Sequence, residues 1–171
     1  GRAGPVAMGM PVPGRDCGGV QSSCQRQPWN GGRVECKGGR TLAKTFFALR
    51  YAAVRFNFRG VGRSGGAFDD GVGETEDALA VLTLVRRRFG ETLPIALAGF
   101  SFGSFGQTRV ATRIQAERLV LVGPAVKRFS LLEVPVDTIV VHGEQDDVVP
   151  LADVFEWARP QQLPIVVFPG C

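Results

Sequence analysis

Histidine is almost missing from this 171-residue chain: His142 is the only one, beside four cysteines, two methionines, two tryptophans and one tyrosine. A single imidazole cannot build a histidine-rich metal centre, and Cys17, Cys24, Cys36 and Cys171 lack the paired spacings that zinc sites use. No metal and no organic cofactor is expected. Without secretory context the cysteines are expected as free thiols. Long apolar runs are missing too: nothing approaches the ~18 residues of a membrane span. The opening Gly-Arg-Ala-Gly-Pro-Val-Ala-Met-Gly-Met-Pro is too interrupted for a signal peptide. These absences set the expectation of a soluble, cytoplasmic protein with no membrane partner.

The net charge of +4 raises the question of nucleic acid, and its distribution answers against it. Residues 1–50 carry eight Lys or Arg against Asp16 and Glu35, a balance of +6; residues 51–171 carry twelve against fourteen, a balance of −2. The body is therefore mildly acidic. Its one dense basic run, Arg86-Arg87-Arg88, ends a helical pattern, where cations suit the negative end of the dipole. A nucleic-acid-associated protein working through a basic N-terminal arm is the weakest reading.

The chain divides near residue 40. Residues 1–40 hold ten Gly and four Pro without helical or strand periodicity, and are expected to be disordered or poorly packed. Residues 41–171 alternate apolar strands with amphipathic helices. The pattern predicts a helix over 41–49 with Leu42, Thr45, Phe46 and Leu49 on one face, then strand 51–58. Helix 74–89 follows, with Ala78, Val81, Leu82, Val85 and Phe89 in register and Glu74, Glu76 and Asp77 in its first turn. Next come strand 94–99, helix 103–115, strands 118–122 and 138–141, helix 151–158 and strand 164–168. Such alternation specifies one α/β domain, a mostly parallel sheet with helices on both faces.

Two glycine-bearing stretches carry chemistry. Gly99-Phe100-Ser101-Phe102-Gly103 follows an apolar run and matches Gly-x-Ser-x-Gly, the pattern of a serine held on a strained strand-to-helix turn. The glycines two positions either side lack the Cβ that would strike the crossing backbone. Alone, the pattern is also that of an ordinary strand-to-helix turn. Gly60-Val61-Gly62-Arg63-Ser64-Gly65 fits a dinucleotide-binding turn, but such a turn opens a helix from its last glycine, and here Gly66 to Gly71 intervene. It reads instead as a glycine-rich loop at the sheet edge.

The third stretch is Ile139-Val140-Val141-His142-Gly143-Glu144-Gln145-Asp146-Asp147-Val148-Val149-Pro150. It places an acid after a strand, at the same sheet edge as Ser101. In a serine hydrolase such a carboxylate orients a histidine and stabilises its imidazolium. Asp146 is the candidate, with Asp147 the neighbour not separated from it, and a solvated turn acid is the plain alternative for either.

In order, RFNFRGVGRSGGAFDDGVGETEDALAVL, LAGFSFGS and VVHGEQDDVVP resemble the α/β-hydrolase superfamily, and more narrowly its small bacterial dienelactone-hydrolase-like serine hydrolases. The resemblance covers about residues 41–171. It implies Ser101 as nucleophile, Asp146 as triad acid and the backbone N–H of Phe102 as an oxyanion donor. It also exposes two departures. Where the family has a His-Pro-x-Pro-x-x-Gly-Gly loop, this chain reads Gln25-Arg26-Gln27-Pro28-Trp29-Asn30-Gly31-Gly32. A degraded or misread coding segment is the expectation upstream. The family's base follows the last strand, whereas this sequence closes on Phe168-Pro169-Gly170-Cys171, so a chain truncated before its triad histidine is expected. His142 precedes the acid and belongs to the turn.

These readings combine into a serine hydrolase acting on ester or related acyl bonds of a small molecule through an acyl-serine intermediate, impaired here by the missing base. A non-catalytic scaffold or interaction domain on the same fold is the alternative. The segment between the strands ending near Val122 and starting near Thr138 is short, leaving little room for a cap and favouring an open site.

Overall fold

The computed structural model describes residues 37–171 and, as backbone alone, the strands Ala7–Met10 (β1) and Cys24–Gln25 (β2). The expectation for residues 1–40 lies largely outside the described residues, as does the comparison drawn over residues 26–32. Helix Lys37–Ala48 (α1) leads to strand Ala53–Phe56 (β3), and helix Val72–Phe89 (α2) to strand Ala96–Ser101 (β4). Helix Phe102–Ala111 (α3) starts without a break and is followed by strands Arg118–Val122 (β5) and Ile139–Gly143 (β6). Helix Leu151–Ala158 (α4), a 3-10 turn over Arg159–Gln161 and strand Ile165–Phe168 (β7) end the chain.

Five strands form a parallel sheet in the order β2-β4-β5-β6-β7, while β1 pairs antiparallel with β3. The expected α/β architecture is the observed one. Its coverage is uneven: β4 buries four successive residues, β5 and β6 alternate, and edge strand β7 leaves Val166 and Phe168 45% and 53% exposed. The core gathers Phe56, Phe58, Leu97, Phe102 and Leu121 with Ala78, Val81, Leu82 and Val85 of α2, while Phe89 packs partly buried at its margin. The helical periodicity of that segment was a reliable guide because the whole stripe meets one neighbour layer.

Two helices differ from expectation, α1 in its packed face and α2 in its start. In α1 the buried positions are Gly39, Ala43 and Phe46, whereas Thr45 turns outward and Leu49, beyond the last helical residue, is 61% exposed. The helix begins at Lys37, so its packed face follows the 39-43-46 row. Helix α2 likewise begins two residues early, at Val72, which leaves Glu74 as the acid of the first turn and moves Glu76 and Asp77 into the second.

Glu74 and Asp77 anchor the preceding loop. Glu74, only 1% exposed, accepts the backbone N–H groups of Asp69 and Gly71 at 3.0 and 2.9 Å, which satisfies donors at a helix start that would otherwise be orphaned. Asp77 accepts from Arg59 three times: backbone N–H at 2.8 Å, Nε at 3.1 Å and Nη2 at 3.0 Å. These hydrogen bonds to Asp77, opposed by burial, hold the Arg59 guanidinium above its ordinary pKa. The glycine-rich loop closes on itself through Gly60 N–H to Gly65 C=O at 3.1 Å, and no helix opens until Val72.

Candidate active site

Ser101 is the last residue of β4 and the residue before α3, with φ 53° and ψ −116°. A non-glycine residue in that region carries strain of about 1–3 kcal/mol that the surrounding packing must hold in place. The packing is visible at Gly99. A Cβ added there would lie 2.6 Å from the carbonyl carbon and oxygen of Gly103 and from Cα of Ser104, all main-chain atoms. Strand and helix thus approach through a point where only glycine fits, and the chain turns between them at Ser101. Ser104 Oγ ties the turn down by donating to the Gly99 carbonyl at 3.1 Å.

Phe102, the first residue of α3, has its backbone N–H among the donors that an α-helix leaves unpaired at its start. The ring anchors that N–H in direction. It is 1% exposed and packs against Phe58, Phe68, Phe105 and Phe129 at centroid separations of 5.8, 5.8, 5.6 and 5.0 Å. The result is an N–H donor at a helix N-terminus next to Ser101, on a residue packed among four aromatic rings.

Asp146 follows β6, whose carboxyl end lies on the same rim because β4, β5 and β6 are parallel. β6 stands two strands, about 10 Å, from β4, and the carboxylate leans back across that gap. Its Oδ2 lies 3.9 Å from where a Cβ on Gly123, just past β5, would be. Its Oδ1 accepts the N–H groups of Val148 and Val149, both at 2.9 Å. Asp146 is half-buried and Asp147 exposed. The two neighbours thus differ in burial, and the two loop N–H groups go to Asp146.

His142 lies beneath this loop, 1% exposed, with Nε2 2.7 Å from the Val149 carbonyl. Donating there fixes the proton on Nε2 and holds Pro150 and the start of α4 near the strand end. A ring so placed on β6 is a packing and turn residue. The Cys171 carbonyl accepts from Gln145 N–H at 2.5 Å, so the chain beyond β7 returns to the Asp146 loop. Cys171 is a free, exposed thiol; Cys17, Cys24 and Cys36 lie outside the residues with described side chains. Among the described residues there is no cluster of three metal-ligating side chains, and no helix is long and apolar enough to cross a membrane.

A strained serine between strand and helix, an adjacent helix N-terminal donor and a carboxylate on the same rim of a parallel sheet define the α/β serine hydrolase class. Comparison with known proteins agrees: a family model described as serine aminopeptidase, S33 matches residues 30–135, and the chain belongs to that family within the α/β serine hydrolases. An α/β serine hydrolase homologue from Coxiella burnetii is 36% identical, with TM-score 0.87 over 98% of this chain and 82% of its own. A Xanthomonas campestris protein, described as an α/β serine hydrolase without lid, is 30% identical, with TM-score 0.83 over 98% of this chain and 84% of its own. Est1E from Butyrivibrio proteoclasticus, solved with ferulic acid bound, is similar in fold at 19% identity and TM-score 0.78, covering 97% of this chain and 86% of its own. An uncharacterised Rickettsia prowazekii protein is 34% identical over 111 residues, 61% of this chain and 47% of that protein, so the chain spans about half the length of this curated relative.

Proposed function

We propose that this chain carries the nucleophile and acid of a hydrolase for small acyl esters, of the dienelactone-hydrolase-like kind. The Ser101 hydroxyl attacks the ester carbonyl while a histidine takes its proton. Charge on the carbonyl oxygen meets the Phe102 N–H, and the protonated histidine, steadied by Asp146, passes its proton to the departing alcohol. Water then cleaves the acyl-serine by the reverse sequence, releasing the acid and restoring the hydroxyl. The observation that carries this reading is the left-handed backbone of Ser101 beside the Gly99–Gly103 contact, strain of the kind that gathers at active sites.

The base has to come from outside these residues, because buried His142 is the one histidine in the sequence and is committed to the Val149 carbonyl. The 171 residues alone therefore hydrolyse esters several orders of magnitude more slowly than a complete triad would. The short connection over 124–138 supports an open site and small or exposed substrates.

The test joins this chain, after Cys171, to the C-terminal segment of the Coxiella burnetii neighbour and treats the chimera with a fluorophosphonate probe and a short-chain aryl ester. Labelling at Ser101 and ester turnover, both lost in Ser101→Ala, are expected. A folded chimera that neither labels nor turns over would overturn the reading in favour of a non-catalytic scaffold. Faster cleavage of an aminoacyl anilide than of the ester would move the substrate class to peptides.

A further inference from the structure

A cleft opens one to two turns along α3 from Ser101. It has a volume of about 380 Å³ and lies between the loop ahead of α2, at Phe68 and Asp70, the α3 residues Phe105 and Arg109, and the 124–138 connection. Its walls include Phe105 and Phe129; its polar groups are Asp70, Arg109, Arg128 and Ser130. Neither Ser101 nor Asp146 reaches it. Two arginines face one aspartate, yet among the described residues neither arginine comes within 4 Å of a carboxylate. Elsewhere Arg59, Arg113 and Arg118 all have such partners.

The placement of Arg109 is built in. Its guanidinium carbon sits 4.9 Å from the Phe105 ring centroid, and its Nε is buried with no acceptor among the described residues. Room for that stack comes from Gly71 (φ 88°), where an added Cβ would stand 2.7 Å from Arg109 Nε. Stacking on Phe105 fixes the plane of the fork and leaves its terminal nitrogens as donors for a planar anion. Arg128, on the opposite wall, is exposed and adds a second positive charge. Rings beside fixed guanidinium donors match a flat apolar body carrying a carboxylate, and the cleft is at the small end of ligand-site volumes, about 300–1,000 Å³.

We propose that this cleft binds a small aromatic carboxylate, the carboxylate between Arg109 and Arg128 and the ring against Phe105 and Phe129. The site is independent of the hydrolase reading, since none of its groups takes part in acyl transfer. Phe105 and Phe129 also pack against Phe102, so the two sites share an aromatic wall.

Isothermal titration of the 171-residue chain with benzoate is the test, with benzamide and inorganic phosphate as controls. Benzoate is expected to bind in about the millimolar range or tighter, and benzamide and phosphate at least tenfold more weakly. Arg128→Gln and Arg109→Gln are each expected to weaken benzoate by about tenfold or more, as loss of a charge-assisted hydrogen bond does. Arg128, being exposed, is the variant that preserves the fold if Arg109→Gln does not. Benzoate binding unchanged in Arg128→Gln, benzamide binding equally well, phosphate binding equally well, or no heat from benzoate would each overturn the proposal.

Discussion

Replacing Gly99 by alanine tests the geometry on which the site depends. The added methyl would meet three main-chain atoms at 2.6 Å, and ordinary contact begins at 3.4 Å, so β4 and the first turn of α3 must part by about 0.8 Å. Side-chain repacking cannot relieve this, because the opposing atoms are the Gly103 carbonyl and Ser104 Cα, held by the helix itself. Overpacking of this kind costs about 1–3 kcal/mol, and with no flexible neighbour the upper half of that range applies. For a chain of this size each kcal/mol moves Tm by about 2–4 °C, so thermal melting should fall by about 5–10 °C. The displacement also carries the Ser101 hydroxyl and the Phe102 N–H away from one another's target. Fluorophosphonate labelling of the chimera should therefore slow by about 100-fold, the order of loss that an ångström of misplacement produces. A variant melting within a degree or so of the parent, with an unchanged labelling rate, would refute the claim that the Gly99–Gly103 contact forms the serine turn.

Ser101→Gly should abolish labelling while raising stability by about 1 kcal/mol or more, since glycine adopts φ 53° without the strain serine bears; calorimetry reads the gain, and a destabilised variant would count against stored strain. Asp146→Ala removes the acceptor of two backbone N–H groups and should cost about 1–2 kcal/mol, whereas Asp147→Ala stays within about 0.5 kcal/mol, compared by urea midpoint. Asp77→Ala leaves the partly buried Arg59 guanidinium without its main partner, and should cost about 2–3 kcal/mol and raise amide exchange across the 59–71 loop.

The elements legible in the sequence are those whose cause is local. The apolar runs of β4, β5 and β6, the stripe on α2 and the Gly-x-Ser-x-Gly turn are specified by contacts among residues a few positions apart, and their periodicity shows in the letters. Boundaries slipped where a distant partner set them. Glu74 and Asp77 resembled dipole-complementing acids until the loop they hold, starting at Arg59, came into view. In α1 the face chosen by apolar spacing included Thr45 and Leu49, but the surface it packs against selects Ala43 and Phe46.

The letters alone determined that this is an α/β protein with a serine on a strained corner and an acid after a later strand, because backbone sterics and hydropathy act along the chain. Only the tertiary structure half-buried Asp146 while leaving Asp147 exposed, set the His142 ring against the Val149 carbonyl and brought Arg109 and Arg128 to one cleft. Each of those outcomes depends on which atoms meet across a folded core, where residues far apart in sequence divide the available hydrogen bonds, space and solvent between them.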